Sequence, residues 1–165
     1  MKKILAILTI GITSTIFSNE QETCTPCQDS FAYYSFSLGP FPWPAPGVGI
    51  GYRSQFNHFG WDTNLRVSSI YVLSQLKLST TPLYYFHPEK ENPFYMGVGV
   101  GASVVNDPEK WGGKTFYGTL SPELKFGKQF GQRQFVQMEV SYPTWTTQEK
   151  TWHLPLVLFS YGKGF

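Results

Sequence analysis

The sequence predicts an all-β fold, an eight-stranded antiparallel up-and-down transmembrane β-barrel, and three observations lead there. Apolar residues alternate with small or polar ones, at period two, in segment after segment downstream of about Phe31. Charged residues make up only 15% of the chain while aromatics reach 18%; an average soluble domain carries about 25% charged residues. Glycine recurs on the polar parity of the strands, at 47, 49, 51, 97, 99 and 101.

The first residues carry an export address. Lys2 and Lys3 form a basic n-region, Ile4 to Phe17 is an apolar run, and Ser18 precedes the polar Asn19-Glu20-Gln21-Glu22. That run falls short of the roughly 20 residues that span a membrane as a helix, so residues 1–18 are expected to be a signal peptide. Its removal takes away two of the 13 basic residues, leaving 11 against 11 acidic ones. A formally neutral chain lacks the concentrated positive charge that nucleic-acid binding needs. No second long apolar run follows, which excludes a helical membrane protein. The remainder is long enough for one domain, residues 31–165.

Residues 19–30 are expected to form a flexible lead-in. Cys24-Thr25-Pro26-Cys27 is a CxxC, but the βαβ context and helix N-terminus that make such a pair a redox centre are missing. Metal binding would want two further ligands, and the nearest histidine, His58, is a strand away. In an oxidising compartment Cys24 and Cys27 are expected to form a local disulfide, with a cross-link to another envelope protein as the alternative.

Strands are expected near 31–39, 47–56, 60–70, 72–86, 94–105, 115–127, 134–143 and 152–164. Val48, Ile50 and Tyr52 alternate with glycines and Arg53; Trp61, Leu65 and Val67 alternate with Asp62, Asn64 and Arg66. Phe94 to Val104, Phe116 to Phe126 and Val136 to Tyr142 repeat the pattern. Breakers rich in Gly, Pro, Asn and His separate the runs. Between Val67 and Tyr85 no Gly or Asn marks a turn, and a bulge or a turn at Ser68-Ser69 accounts for the change of parity there.

Alternation alone does not say which face points inward. In a soluble barrel the apolar face is inside; in a transmembrane barrel it meets lipid. The polar parity carries seven charges of both signs, Arg53, Asp62, Arg66, Lys77, Glu123, Lys125 and Glu139. That is too thin for a solvent coat and enough for an interior. Arg53, Arg66, Glu123, Lys125 and Glu139 are the expected lumen ion-pair network. It would be either a packed core that plugs the barrel or the lining of a narrow pore. An eight-stranded barrel is just wide enough for side chains, so glycine on this parity makes room for Arg, Lys and Tyr. Aromatics gather at strand ends, among them Phe41, Trp43, Phe59, Trp61, Tyr84, Phe86, Phe94, Tyr142, Trp145 and Trp152, where an interfacial girdle sits.

The last strand ends Val157, Phe159, Tyr161, Phe165 on one parity. With the glycine-alternating runs Gly47-Val48-Gly49-Ile50-Gly51-Tyr52 and Tyr95-Met96-Gly97-Val98-Gly99-Val100-Gly101, it resembles the small outer-membrane β-barrel superfamily, the proteins like OmpX and the OmpA transmembrane domain. The resemblance is one of pattern, from about residue 31 to the end. It implies an outer-membrane location in a Gram-negative bacterium, with Phe165, Tyr161 and Phe159 read by the barrel-assembly machinery. Lys163 departs from the apolar residue usual at its position. The resemblance also puts the C-terminus on the periplasmic side, with outer loops at 39–46, 68–72, 106–114 and 143–151. Trp43, Trp111 and Trp145 then anchor the rim or touch a partner.

Catalytic motifs are missing. Gly97-x-Gly99-x-Gly101 lacks the spacing and following helix of a dinucleotide fingerprint, and His58, His87 and His153 have no Ser or Cys partner at a recognisable spacing. The expected role is non-enzymatic, structural or surface-interactive, for a monomer with lipid as its partner, no cofactor and no nucleic acid. An outer-membrane enzyme or narrow pore is the first alternative, and a secreted lipocalin-like barrel binding a small apolar ligand is the second.

Overall fold

The computed structural model describes residues 28–39, 45–70, 73–106, 116–131, 133–142, 144–146 and 155–165. It is a single closed antiparallel sheet. The long strands are β1 (Gln28–Gly39), β2 (Ala45–Phe56), β3 (Phe59–Ile70), β4 (Leu73–Phe86), β5 (Phe94–Asn106), β6 (Phe116–Phe130) and β7 (Gln134–Ser141), followed by a two-residue β8 (Trp145–Thr146) and then β9 (Leu156–Gly164). Each long strand pairs with its neighbour in sequence, β9 pairs with β7, and β9 also pairs with β1, so eight long strands close the ring. No helix among the described residues is long and apolar enough to cross a membrane.

Expected and observed strands differ by a few residues: β1 already begins at Gln28 and pairs with β2 from there, so Gln28 to Ser30 belong to the barrel wall and not to the expected flexible lead-in 19–30. Gly127 was expected to end the sixth strand, but β6 runs on to Phe130. Gly127 there marks the close approach of the Tyr95 ring, which a Cβ would overlap. The β3–β4 reversal falls between Ile70 and Leu73, which are direct partners. Beyond Ser141 the pairing with β6 resumes one residue out of step: Ser141 faces Glu123, yet Trp145 faces Leu120. One extra residue on the β7–β8 side, between Ser141 and Trp145, makes a bulge.

The register fixes the diameter. Direct pairing leads from Gln28 through Phe56, Phe59, Tyr84, Met96, Phe126, Met138 and Phe159 back to β1 at Leu38, ten residues along. A stagger of ten residues over eight strands, at ~3.3 Å rise and ~4.8 Å spacing, tilts the strands by about 40°. The chain's described ends share one rim with three connections, 57–58, 87–93 and 131–133. At 57–58 the turn has two central residues, and Asn57 takes φ 58°, a conformation asparagine tolerates better than most.

The two faces of the sheet are inside out relative to a soluble protein. Ile50 is 62% exposed and Val98 60%, while Arg53, Asp62 and Lys125 are 0% exposed. Outward positions of every long strand carry large apolar side chains, from Tyr34, Phe36 and Leu38 on β1 to Phe159, Tyr161 and Phe165 at the end of the chain. The closed ladder satisfies the backbone of the wall without water, the condition for crossing hydrocarbon.

Ile50 lies midway along β2 and faces outward. Replacing it with arginine is expected to cost about 2–4 kcal/mol in a bilayer, the scale for a lipid-facing charge near the midplane. Denaturant titration in vesicles, followed by tryptophan fluorescence, measures this. An unchanged midpoint would mean that Ile50 does not meet lipid.

Candidate functional site

The lumen holds all the buried charged side chains of the described strands. Parity fills it: on β1 the odd residues Phe31, Tyr33, Ser35 and Ser37 point in, on β2 Arg53 and Gln55, and on β3 Asp62, Asn64 and Arg66. From β4 come Lys77, Ser79, Thr81, Leu83 and Tyr85, and from β5–β7 Tyr95, Glu123, Lys125, Phe135, Gln137 and Glu139. The seven alternate-face charges of the sequence are the seven buried charged residues among the described residues.

Near the rim that carries the chain ends, rings fill the lumen. Phe31, Tyr33, Leu83, Tyr85, Tyr95 and Phe135 form one buried cluster. Tyr33 meets Phe135 edge to face at 4.8 Å, and Tyr85 lies 5.4 Å from Tyr95. Each large ring occupies the space a side chain would need on an adjacent strand. Cβ atoms at Gly51, Gly127 and Gly162 would collide with Tyr33, Tyr95 and Phe135. The Arg53 guanidinium sits within this layer, 3.7 Å from the centre of the Phe135 ring and 4.6 Å from that of Tyr95. Ring faces carry negative quadrupole density, so they share with Asp62 the task of stabilising the cation.

The next layers are ionic. Asp62 joins two cations: Arg53 Nε donates to Oδ1 at 3.1 Å and Lys125 Nζ to Oδ2 at 2.8 Å. Tyr33 Oη also donates to Oδ1, at 2.9 Å. Gln137 Oε1 accepts from Arg53 Nη2 at 2.9 Å and Tyr95 Oη at 3.0 Å. Lys77 Nζ lies between two carboxylates, 2.6 Å from Glu123 and 2.7 Å from Glu139. Arg66 Nη2 donates to Glu139 at 2.7 Å. Lys125 reaches Glu123 at 4.0 Å, which links the two clusters. Toward the other rim short hydroxyls take over, with Gln75 donating to Ser103 at 2.9 Å and Ser103 within 2.6 Å of Thr119.

Of the five residues expected to form the network, the structure pairs Arg66 directly with Glu139 and sets Glu123 4.0 Å from Lys125. Arg53 touches none of the other four among these ion pairs; its partner is Asp62. The two bridging residues, Asp62 and Lys77, stood among the alternate-face charges but outside the expected network. Their parity was the available signal. Tyr33, Tyr95, Phe135 and Gln137 share that parity and complete the site.

Other expected sites lie elsewhere. Phe159, Tyr161 and Phe165 face outward, and the Phe165 ring stacks on Tyr34 with centroids 6.4 Å apart. His58 lies in the β2–β3 turn beside Tyr84, and His87 in the β4–β5 connection contacts the exposed Glu89. Cys24, Cys27, Trp43, Trp111 and His153 fall outside the described residues, as do most of the outer loops. Among the described residues no group of three or more His, Cys, Asp or Glu side chains is placed to hold a metal.

A closed ring of eight long strands, apolar without and charged within, defines a small outer-membrane-type β-barrel. No protein-family model matches the chain, and no curated protein matches it in sequence. Among solved structures it is similar to Neisserial surface protein A, at a TM-score of 0.62 and 11% identity over 82% of this chain and 96% of the other. It is likewise similar to the N-terminal β-barrel domain of Pseudomonas aeruginosa OprF, at 0.60 and 14% over 84% and 98%. At such identities the likeness is one of fold.

Glu139 neutralises two cations, so Glu139→Ala leaves both buried without it. Breaking a buried pair in this way is expected to cost about 3–5 kcal/mol. Denaturant titration of the refolded barrel measures the loss. Glu89→Ala, which removes a carboxylate from an exposed turn, is expected to leave the midpoint unchanged.

Proposed function

We propose that this chain is an exported, non-enzymatic outer-membrane β-barrel of a Gram-negative bacterium, with a structural or surface-interaction role in the envelope. The observation that carries the reading is the inside-out distribution of side chains. An apolar wall around a buried seven-charge lumen is stable only with hydrocarbon outside it. The fold shared with two outer-membrane barrels supports the same reading.

The lumen argues against the ligand-binding alternative. A soluble lipocalin-like barrel needs an apolar interior for an apolar ligand, and here the interior is ionic. It also argues for a plug in place of a pore, because the aromatic layer and the Arg53 guanidinium lie across the barrel's width. A barrel filled in this way offers its surroundings a wall and its loops, which is why the role is assigned to the envelope surface. Signal-peptide removal at about residue 18 and a Cys24–Cys27 disulfide belong to the same proposal.

The test is fractionation of cells expressing the full chain, followed by gel mobility with and without boiling. The expected result is recovery with the outer membrane and a band that shifts on heating. Recovery in the soluble periplasm with no shift would overturn the assignment.

A further inference from the structure

We propose that Lys128 and Lys163, on either side of Gln134, form a docking site for the headgroup of an anionic phospholipid on the outer wall of the barrel. This rests on the membrane reading above, and it begins from the charges on that wall. Among the described residues, the outward-facing positions of all the strands carry two charged side chains. Both are lysines, and no acid accompanies them. They stand on β6 and β9, the two strands that flank β7, close to the rim where the chain ends.

The register brings them to one level. Lys163 is the direct partner of Gln134 across β7–β9, and Phe130, two residues from Lys128, is the direct partner of Gln134 across β6–β7. With strands tilted by about 40°, Lys128 and Gln134 stand side by side along the rim. The Lys128 ammonium lies 5.0 Å from the centre of the Phe94 ring on β5 and 5.4 Å from that of Phe130, and its flexible four-carbon stem allows it to swing from these rings toward Gln134. Tyr161 Oη donates to Gln134 Oε1 at 3.0 Å, so the carbonyl end of the amide is taken and its N–H groups remain as donors.

Two ammonium groups with an amide donor between them suit a phosphodiester. The surrounding rings of Phe94, Phe130, Tyr161 and Phe165 place the group at the depth where aromatic belts meet headgroups. A zwitterionic headgroup brings its own ammonium, which the two lysines repel, so the site selects lipids with net negative charge. The same requirement accounts for Lys163, a cation on the outward parity of a strand that is otherwise apolar there.

The experiment uses the full chain refolded in detergent and moved into bilayer discs with equal phosphatidylglycerol and phosphatidylethanolamine. Native mass spectrometry counts the lipids that stay bound, and the heat-shifted gel band is read on the same samples. The wild type is expected to retain phosphatidylglycerol over phosphatidylethanolamine by roughly thirtyfold, the scale for two lysines near an anionic surface. K128Q/K163Q is expected to bring that ratio close to one, while K90Q, which removes a lysine from an exposed turn, keeps it. Equal retention by the wild type overturns the docking site, as does a preference that survives in K128Q/K163Q. The wild-type arm decides by itself if a variant does not fold. A missing band shift rejects the membrane barrel and the site together, whereas a shift without lipid preference rejects the site alone.

Discussion

An eight-stranded barrel staggered by ten residues encloses a space about one side chain deep, and the rest of this structure follows from filling it. A void in that space would forfeit packing contacts, and an unpaired polar group would stay unsolvated. The chain meets the volume constraint by opposing large residues with none. Gly51, Gly127 and Gly162 lie beneath Tyr33, Tyr95 and Phe135, and Gly101 makes room for Glu123 and Lys77. In a soluble sheet glycine at such positions would weaken the strand. Here the missing side chain is part of the fit.

The charge constraint is met across the barrel. Arg66 and Glu139 are 73 residues apart in sequence, Lys77 and Glu139 62, Lys125 and Asp62 63, and Arg53 and Gln137 84. Each contact joins β2, β3 or β4 to β6 or β7, so none forms until the ring has nearly closed. A buried ion pair is weak evidence of stability, because desolvation offsets much of the attraction. Its contribution here is specificity: a one-residue slip of any strand would turn its charges out to the wall and its apolar residues into the lumen. Contacts so distant in sequence also make for slow folding.

The architecture was legible because parity is a local property. Val48, Ile50 and Tyr52 against Gly49, Gly51 and Arg53 state the two faces of β2 without any reference to the other strands. The same holds for Trp61 and Leu65 against Asp62 and Asn64. Who meets whom inside the lumen is set by the stagger, and no residue encodes the stagger alone. Asp62 and Lys77 therefore had the right parity, yet their bridging positions could not be read. Gly127 looked like a turn for a similar reason, since the Tyr95 ring that needs its space comes from the neighbouring strand.

Parity and volume are also permissive, which explains how barrels of such low sequence identity share this fold. Any apolar residue serves on the wall, and many polar combinations neutralise one another inside. Positions that neither rule dictates are where a particular barrel is distinguished from others of its shape. Charge on the outward wall is one such feature, because the fold needs none there and lipid penalises it away from the interface. Lys128 and Lys163 violate the parity rule of their own strands, at the same level and on either side of β7. The rings of Phe94 and Phe130 offset part of the Lys128 charge, and under the docking proposal a lipid phosphate would supply the anion.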